Sequence, residues 1–250
     1  MDDDRNQPQR TDLPVVMLLP NVVTIAAICA GMSAIRFGFE GQFKAAVILI
    51  LVACILDGLD GRLARLLKSE SQIGAELDSL ADFVNFGVTP ALVIYAWGLQ
   101  GTNSAGWIAV LVFAISCVMR LARFNIDSKS EISGAKSDRF VGVPAPAGAF
   151  LVLLPMFVSF FFNDPDLIAP GLIGAYMICI GLLMISRIPT FSFKKARVSR
   201  KMAKFLLLGF AFLAAALLTH TWATLIVLDL IYAGGVLWAW LSRNKTPTAP

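Results

Sequence analysis

Residues 45–82 read AAVILILVACIL (45–56), DGLDGRLAR (57–65), LLKSESQI (66–73) and GAELDSLAD (74–82). An unbroken apolar run leads into Asp57 and Asp60, and a second stretch opens at Gly74 and closes on Asp78 and Asp82. Asp57, Asp60, Gly61 and Ala64 fall at i, i+3, i+4 and i+7, which is one face of a helix. Asp78 and Asp82 stand at i and i+4 on the next. Ionisable groups inside or at the end of a membrane helix are costly, so they face a cavity or a partner and mark function. Four acids gathered without a cation repel one another, and the simplest resolution is a divalent metal held by oxygen ligands. The stretch therefore predicts two membrane helices packed antiparallel across a turn at 66–77, with four carboxylates brought together near one membrane face.

Working outward, the 250-residue chain is 57% hydrophobic and only 15% charged, with a mean hydropathy of +0.74. A soluble domain of this size does not have that composition. Crossing a hydrocarbon core takes about 20 apolar residues. Eight runs qualify, at roughly 14–35, 43–65, 78–99, 106–125, 144–162, 167–186, 203–219 and 222–242. No strand alternation, repeat or low-complexity linker interrupts them. The expected fold is an all-α integral membrane protein with about eight transmembrane helices. It forms a single polytopic catalytic domain over 13–243, between a polar N-terminus (1–12) and a tail (244–250). The segment 1–12 resembles neither a signal peptide nor a basic transit peptide.

The net charge of +4 bears on membrane orientation, and no nucleic-acid partner is expected. With an even number of helices, both termini share one side. Of the 21 basic residues only Arg36 and Lys44 fall opposite, so 19 lie on that side. Because Lys and Arg in short loops set topology, both termini and the acid cluster are expected to be cytoplasmic in a multi-pass cell (inner) membrane protein. The connection 187–203 carries much of this charge and suits anionic lipid or the steering of an anionic substrate. The other long connection, 126–143, is a polar Ser/Gly/Lys loop. Cys29, Cys54, Cys117 and Cys179 lie singly inside spans, which points to packing and to neither a disulfide nor a zinc site. His220, the sole histidine, lies in a short loop on the opposite side from the acids.

The residue types around the acids suggest phosphate chemistry. Gly61 and Gly74 leave room for a ligand or for close backbone approach. Arg65, one turn beyond Gly61, suits bidentate contact with a phosphate. Metal ions beside an arginine suit a pyrophosphate, and a partly free carboxylate suits proton removal from an attacking hydroxyl. Two alternatives stand beside this: ion pairing of the acids with Arg62, Arg65 and Lys68, and an ion-coupled transporter in which the acids form a relay. Transporter sites tend to lie near the midplane of repeated halves, whereas these acids lie near one face.

The array D-x-x-D-G-x-x-A-R-x8-G-x-x-x-D-x-x-x-D resembles the signature of the CDP-alcohol phosphotransferase family, with every fixed position present from Asp57 to Asp82. The resemblance implies a six-helix core, here with two further C-terminal helices. It also implies transfer of a phosphatidyl-type group from a CDP-linked donor to an alcohol with release of CMP, and a need for Mg²⁺ or Mn²⁺, two ions in all. On the same ground Asp57, Asp60 and Asp78 are metal ligands. Asp82 matches the general base and touches a metal as well. Gly61, Ala64, Arg65 and Gly74 surround the CDP moiety. Homodimers are common in the family, though nothing in the sequence identifies an interface.

Further stretches resemble the branch of the family that uses L-serine as acceptor and CDP-diacylglycerol as donor: LPNVVT (19–24), DFVNFGVTPA (82–91), RLARFN (120–125), FVGVPAPA (140–147) and SRIPTFSFKK (186–195). Branches that take glycerol 3-phosphate, an inositol phosphate or choline share the array, so another alcohol acceptor remains an alternative. Serine needs a cation for its carboxylate. Arg120 and Arg123, one turn apart on the side of the acids, are candidates for that role with Asn125, or else are topology anchors. Asn21 and Thr24 suit hydrogen bonds to the cytidine or a phosphate, or bonds between helices.

Overall fold

The computed structural model describes residues 15–102, 104–132, 142–186 and 200–243. The ends at 1–12 and 244–250, half of the connection at 126–143 and most of that at 187–203 lie outside them. A 3₁₀ turn (Val15–Leu18) leads into α1 (Leu19–Phe39), followed by α2 (Phe43–Leu67) and α3 (Gln72–Asp82). A π-helical segment (Phe83–Val88), α4 (Thr89–Ile94), a second π-helical segment (Tyr95–Leu99) and a 3₁₀ turn (Gln100–Thr102) prolong α3 into one continuous helix. Then come α5 (Ser104–Ile132), α6 (Ala145–Phe162), α7 (Pro170–Ile185), α8 (Arg200–Thr219) and α9 (Thr221–Arg243). All eight expected segments are helical, and the described residues contain no strand.

Five of these helices are long and apolar enough to cross a membrane: Val16–Phe39, Gln72–Thr102, Ser104–Asp127, Ala145–Phe162 and Thr221–Leu241. At 25 residues α2 has the length, but Lys44, Asp57 and Asp60 interrupt its apolar character. The apolar stretches of α7 and α8 are shorter, at Pro170–Ile185 and Leu207–Thr219.

Local chemistry sets the helix ends nearest the acids. Lys68, in the left-handed conformation (φ 52°), closes α2, with the Lys68 and Ser69 N–H groups reaching the Arg65 and Ala64 carbonyls. Three residues later the Ser71 hydroxyl accepts the Gly74 N–H at 3.0 Å and caps α3, satisfying a donor the helix leaves free. The turn is therefore 68–71, tighter than the expected 66–77, because a C-cap and an N-cap adjoin. Gly74 consequently lies inside α3. At the same end of the bundle α5 runs on to Ile132, so the polar stretch after Asn125 is helical at first where a loop was expected.

Lipid offers helices no hydrophobic drive to associate, so close approach through small residues matters. The buried face of α1 is Pro20, Thr24, Ala27, Ala30, Gly31, Ala34 and Gly38, a strip that seats α1 against α2 and α4. A Cβ on Gly38 would stand 3.2 Å from Val93 Cγ2. The centre of the bundle is α6, with Val152, Leu153, Met156 and Phe157 buried beside Phe86, Phe113 and Met177 from neighbouring elements. α8 packs on α9 at the periphery. Its Phe205, Phe210 and Phe212 are exposed, as suits side chains that face lipid.

Candidate active site

The helix spacing that makes Asp57 and Asp60 share a face also turns that face toward α1 and α3. Carboxylate oxygens of Asp57, Asp60 and Asp78 all lie within 4.8 Å of one another. Asp60 is buried, while Asp57 and Asp78 are half-buried. The Asp82 carboxyl, one turn along α3 from Asp78, abuts that of Asp57 and stands outside the triad. All four acids thus meet.

Their surroundings do not neutralise them. None of the four forms an ion pair with a described cation. Arg65, one of the three cations that follow Asp60 on α2 and its turn, instead donates its Nε to the Gly61 carbonyl at 3.0 Å. Among the described residues none of Arg62, Arg65 and Lys68 forms an ion pair with these acids, which removes the ion-pairing alternative. Asp60 is held by the Thr24 hydroxyl, which donates to Oδ2 at 2.5 Å, and by the Gly61 N–H, which donates to Oδ1. Asp57 Oδ1 is buried with no hydrogen-bond partner. A buried, unpaired carboxylate oxygen is expensive, and here it belongs to a cluster of like charges. Oxygen-only donors suit Mg²⁺ or Mn²⁺. Mg–O bonds run at about 2.0–2.1 Å, so opposing ligand oxygens stand about 4.2 Å apart, close to the span of the triad. The donor set fits a divalent cation.

The expected donor-binding positions frame this cluster. Nothing lies within 4 Å of where a Cβ on Gly61 would be, so this exposed backbone is open. A Cβ on Gly74 would meet Asn21 Oδ1 and Ser71 Oγ, each at 3.1 Å. Gly61 thus gives open space, and Gly74 gives close approach between α3 and α1. Asn21 sits beside Gly74, Thr24 holds Asp60, and half-buried Ala64 lies on the α2 face continued from Asp60.

Three candidates for the acceptor side occupy the end of α5. Asn125 Nδ2 donates to Ser79 Oγ at 3.1 Å, which fastens α5 to α3 beside Asp78. Arg120, only 5% exposed, donates Nε to the Val143 carbonyl at 3.1 Å. Arg123 donates to the Ile185 carbonyl at 2.9 Å. The two arginines therefore join α5 to the start of α6 and the end of α7, and Arg120 is no surface anchor.

Sequence reasoning gave no role to four polar residues here. Ser79 is the partner of Asn125, and Ser71 caps α3. Asn85 sits three residues past Asp82 in the first π-helical segment, fully buried, and neither of its amide atoms is paired; the Thr89 hydroxyl one turn on is also unpaired. A polar amide inside an apolar span, at i+3 from a candidate base, was the available signal. π-Helical turns gather at functional sites, and this one widens the helix directly after Asp82.

The family model described as CDP-alcohol phosphatidyltransferase matches residues 17–240. A protein of Mycobacterium leprae named CDP-diacylglycerol–serine O-phosphatidyltransferase is 41% identical over 219 residues, covering 87% of this chain and 72% of that protein. Its namesake in Mycobacterium bovis is 37% identical over 235 residues, covering 92% and 82%. One in Helicobacter pylori is 36% identical over 185 residues, covering 74% and 76%.

Proposed function

The chain belongs to the CDP-alcohol phosphatidyltransferase family, and from that premise we propose that it transfers the phosphatidyl group of CDP-diacylglycerol to L-serine, giving phosphatidylserine and CMP. The observation that carries the chemistry is the carboxylate triad of Asp57, Asp60 and Asp78, which has no described cation beside it. Serine as acceptor rests on the names of the relatives in three bacteria.

Asp57, Asp60 and Asp78 hold Mg²⁺ or Mn²⁺, with Asp82 completing a site for a pair of ions. When bound, the cation supplies positive charge to the donor pyrophosphate and to the departing phosphate. Arg65, its Nε fixed on Gly61, presents its remaining N–H groups to a phosphate, and the open backbone at Gly61 admits the nucleotide. Asn21 and Gly74 bound the cytidine side. Asp82 removes the proton of the serine hydroxyl as that oxygen bonds to the phosphorus nearer the lipid. The phosphoanhydride bond breaks and its electron pair leaves with CMP. Arg120 and Arg123 each give one N–H to a main-chain carbonyl and keep the rest of the guanidinium for the serine carboxylate. Asn125, bonded to Ser79, positions α3. The whole works as a single catalytic unit over 13–243, and the Lys/Arg asymmetry supports a site and termini facing the cytoplasm of an inner-membrane protein.

The test is CMP release by purified protein supplied with CDP-diacylglycerol and, in turn, serine, glycerol 3-phosphate, inositol phosphate and choline. Turnover with serine alone, lost on chelation and restored by Mg²⁺ or Mn²⁺, is the expected result. Turnover with a different alcohol would reassign the acceptor, and metal-independent turnover would remove the triad's role. On the acceptor side, Arg120→Gln or Arg123→Gln should raise KM for serine by about tenfold to a hundredfold, the equivalent of one charge-assisted hydrogen bond, with KM for the lipid donor little changed. An unchanged serine KM in both variants would place the carboxylate elsewhere.

A further inference from the structure

Arg120 and Arg123 stand at i and i+3 on α5, neighbours on one helix face. Each commits one donor to a main-chain carbonyl: Arg120 Nε to Val143 at 3.1 Å, and Arg123 Nη1 to Ile185 at 2.9 Å. The two acceptors lie on different segments. Val143 is buried two residues before α6, and Ile185 is the last residue of α7. Ile185 offers one of the carbonyls that a helix leaves without a donor at its C-terminus. Two arginines tied to separate segments act together on one anion only if their two carbonyls are fixed relative to each other. Gly142 makes that connection. It is buried, its φ is +90°, and a Cβ there would stand 2.7 Å from the Met184 carbonyl oxygen and 2.8 Å from that of Ser186. The Gly142 backbone therefore rests on the main chain on both sides of Ile185.

Two features exclude a side chain at Gly142. The backbone conformation is one that L residues rarely adopt. The clash is with carbonyl oxygens, which have no rotamer to change, so an added Cβ must part the two segments and shift the Val143 carbonyl relative to that of Ile185. Gly148, one helical turn into α6, offers a contrast. The three atoms nearest a Cβ there all belong to the Met184 side chain, with Sδ at 2.5 Å and Cγ at 2.9 Å. An unbranched thioether chain with three rotatable bonds can yield. The same junction is thus crowded by main chain at Gly142 and by a pliable side chain at Gly148. Guanidinium recognition of a carboxylate is planar and bidentate, so it depends on where each fork points. Misplacing a positioned group by about 1 Å can cost about 10²-fold in rate.

We propose that Gly142 is a positioning residue for the acceptor: it locks the Val143 and Ile185 carbonyls in register and through them sets Arg120 and Arg123 as one two-armed clamp for the acceptor's carboxylate, a role that rests on the reading of those arginines as the serine-carboxylate pair. The test measures CMP release by the full chain in phosphatidylcholine nanodiscs, with serine varied at saturating CDP-diacylglycerol and then the reverse. Gly142→Ala should raise KM for serine by about tenfold, the scale of one weakened charge-assisted hydrogen bond. KM for CDP-diacylglycerol and the Mg²⁺ requirement should stay near those of the unsubstituted enzyme. Gly148→Ala should leave the serine KM in place, whatever it does to thermal stability. In a chain that carries Arg120→Gln and Arg123→Gln together, adding Gly142→Ala should raise the serine KM no further, because a residue that acts through two arginines then has nothing left to position. An equal rise in the lipid-donor KM, an equal effect of Gly148→Ala, or multiplication of the Gly142 and arginine effects would make Gly142 a packing residue and overturn the proposal. If the arginine pair itself leaves the serine KM unchanged, the carboxylate reading fails and Gly142 loses its role with it. If the pair raises that KM and Gly142→Ala does not, the reading stands and the proposal alone is overturned. Should Gly142→Ala fail to accumulate, Arg123→Lys decides. Lysine keeps the charge but has no fork with which to hold the Ile185 carbonyl and a carboxylate together, so a raised serine KM supports the clamp and an unchanged one overturns it.

Discussion

At the residue scale, the four acids differ in what holds them, and that difference predicts different phenotypes. Asp57, Asp60 and Asp78 share one cluster, so Asn at any of the three should remove metal-dependent CMP release. Activity near the unsubstituted level in any two, at equal membrane abundance, would refute the metal assignment. Asp82 stands outside the triad against Asp57. As a base it acts only in the transition state, so Asp82→Asn should lower kcat by about 10²–10⁴-fold with KM for CDP-diacylglycerol little altered. Loss of donor binding in that variant would make Asp82 chiefly a ligand. Thr24 acts one step further out, donating to Asp60 Oδ2. Partners of metal ligands are worth about 10–100-fold in metal affinity. Thr24→Val should therefore raise the Mg²⁺ concentration for half-maximal activity by that factor and leave the rate at saturating metal largely intact. A lowered saturated rate with an unchanged metal requirement would count against this.

At the element scale, the contact of α1 with the π-helical segment after Asp82 has little slack. A Cβ on Gly31 would stand 2.2 Å from Asn85 Oδ1 and 3.2 Å from Thr89 Oγ1, so the buried Asn85 side chain, or the helix that carries it, must shift. Overfilling a packed interior costs about 1–3 kcal/mol. Gly31→Ala should lower the thermal midpoint in detergent and reduce turnover, because the crowded segment begins directly after Asp82. Gly209 on α8 is the control, with nothing within 4 Å of its added Cβ. Gly209→Ala should be neutral or slightly stabilising, since Ala is the better helix residue by about 1 kcal/mol. Equal behaviour of the two variants would show that α1 and the π-helical segment adapt freely. The element scale also explains Asn125. Its bond to Ser79 makes it a brace between α5 and α3, so Asn125→Ala should lower kcat while the serine KM holds.

At the scale of the whole molecule, the prediction concerns sidedness. Glu70, exposed in the short turn between α2 and α3, and Ser104, exposed at the start of α5, lie at opposite ends of the segment Gln72–Thr102. In a cysteine-free background, a cysteine at 104 should react with an impermeant thiol reagent in intact cells. A cysteine at 70 should react only after the membrane is opened. Labelling of position 70 from outside would invert the topology and move the acids away from cytoplasmic serine.

Sequence alone determined the all-helical membrane class, the eight helical segments and the membership of the acid cluster. Helical period and apolar run length are local properties, and Asp57 through Asp82 lie close in the chain. A signature confined to 26 residues needs only one turn to become a site. What lay beyond it was long-range geometry. The hydrogen bond from Thr24 to Asp60, the approach of Asn21 to Gly74, the clasp of Asn125 on Ser79 and the burial of Arg120 against Val143 depend on which face each helix turns to which neighbour. No spacing within a single helix encodes that choice. The turn between α2 and α3 shortened to 68–71 because a left-handed Lys68 and a Ser71 cap meet there, an arrangement propensity does not foretell.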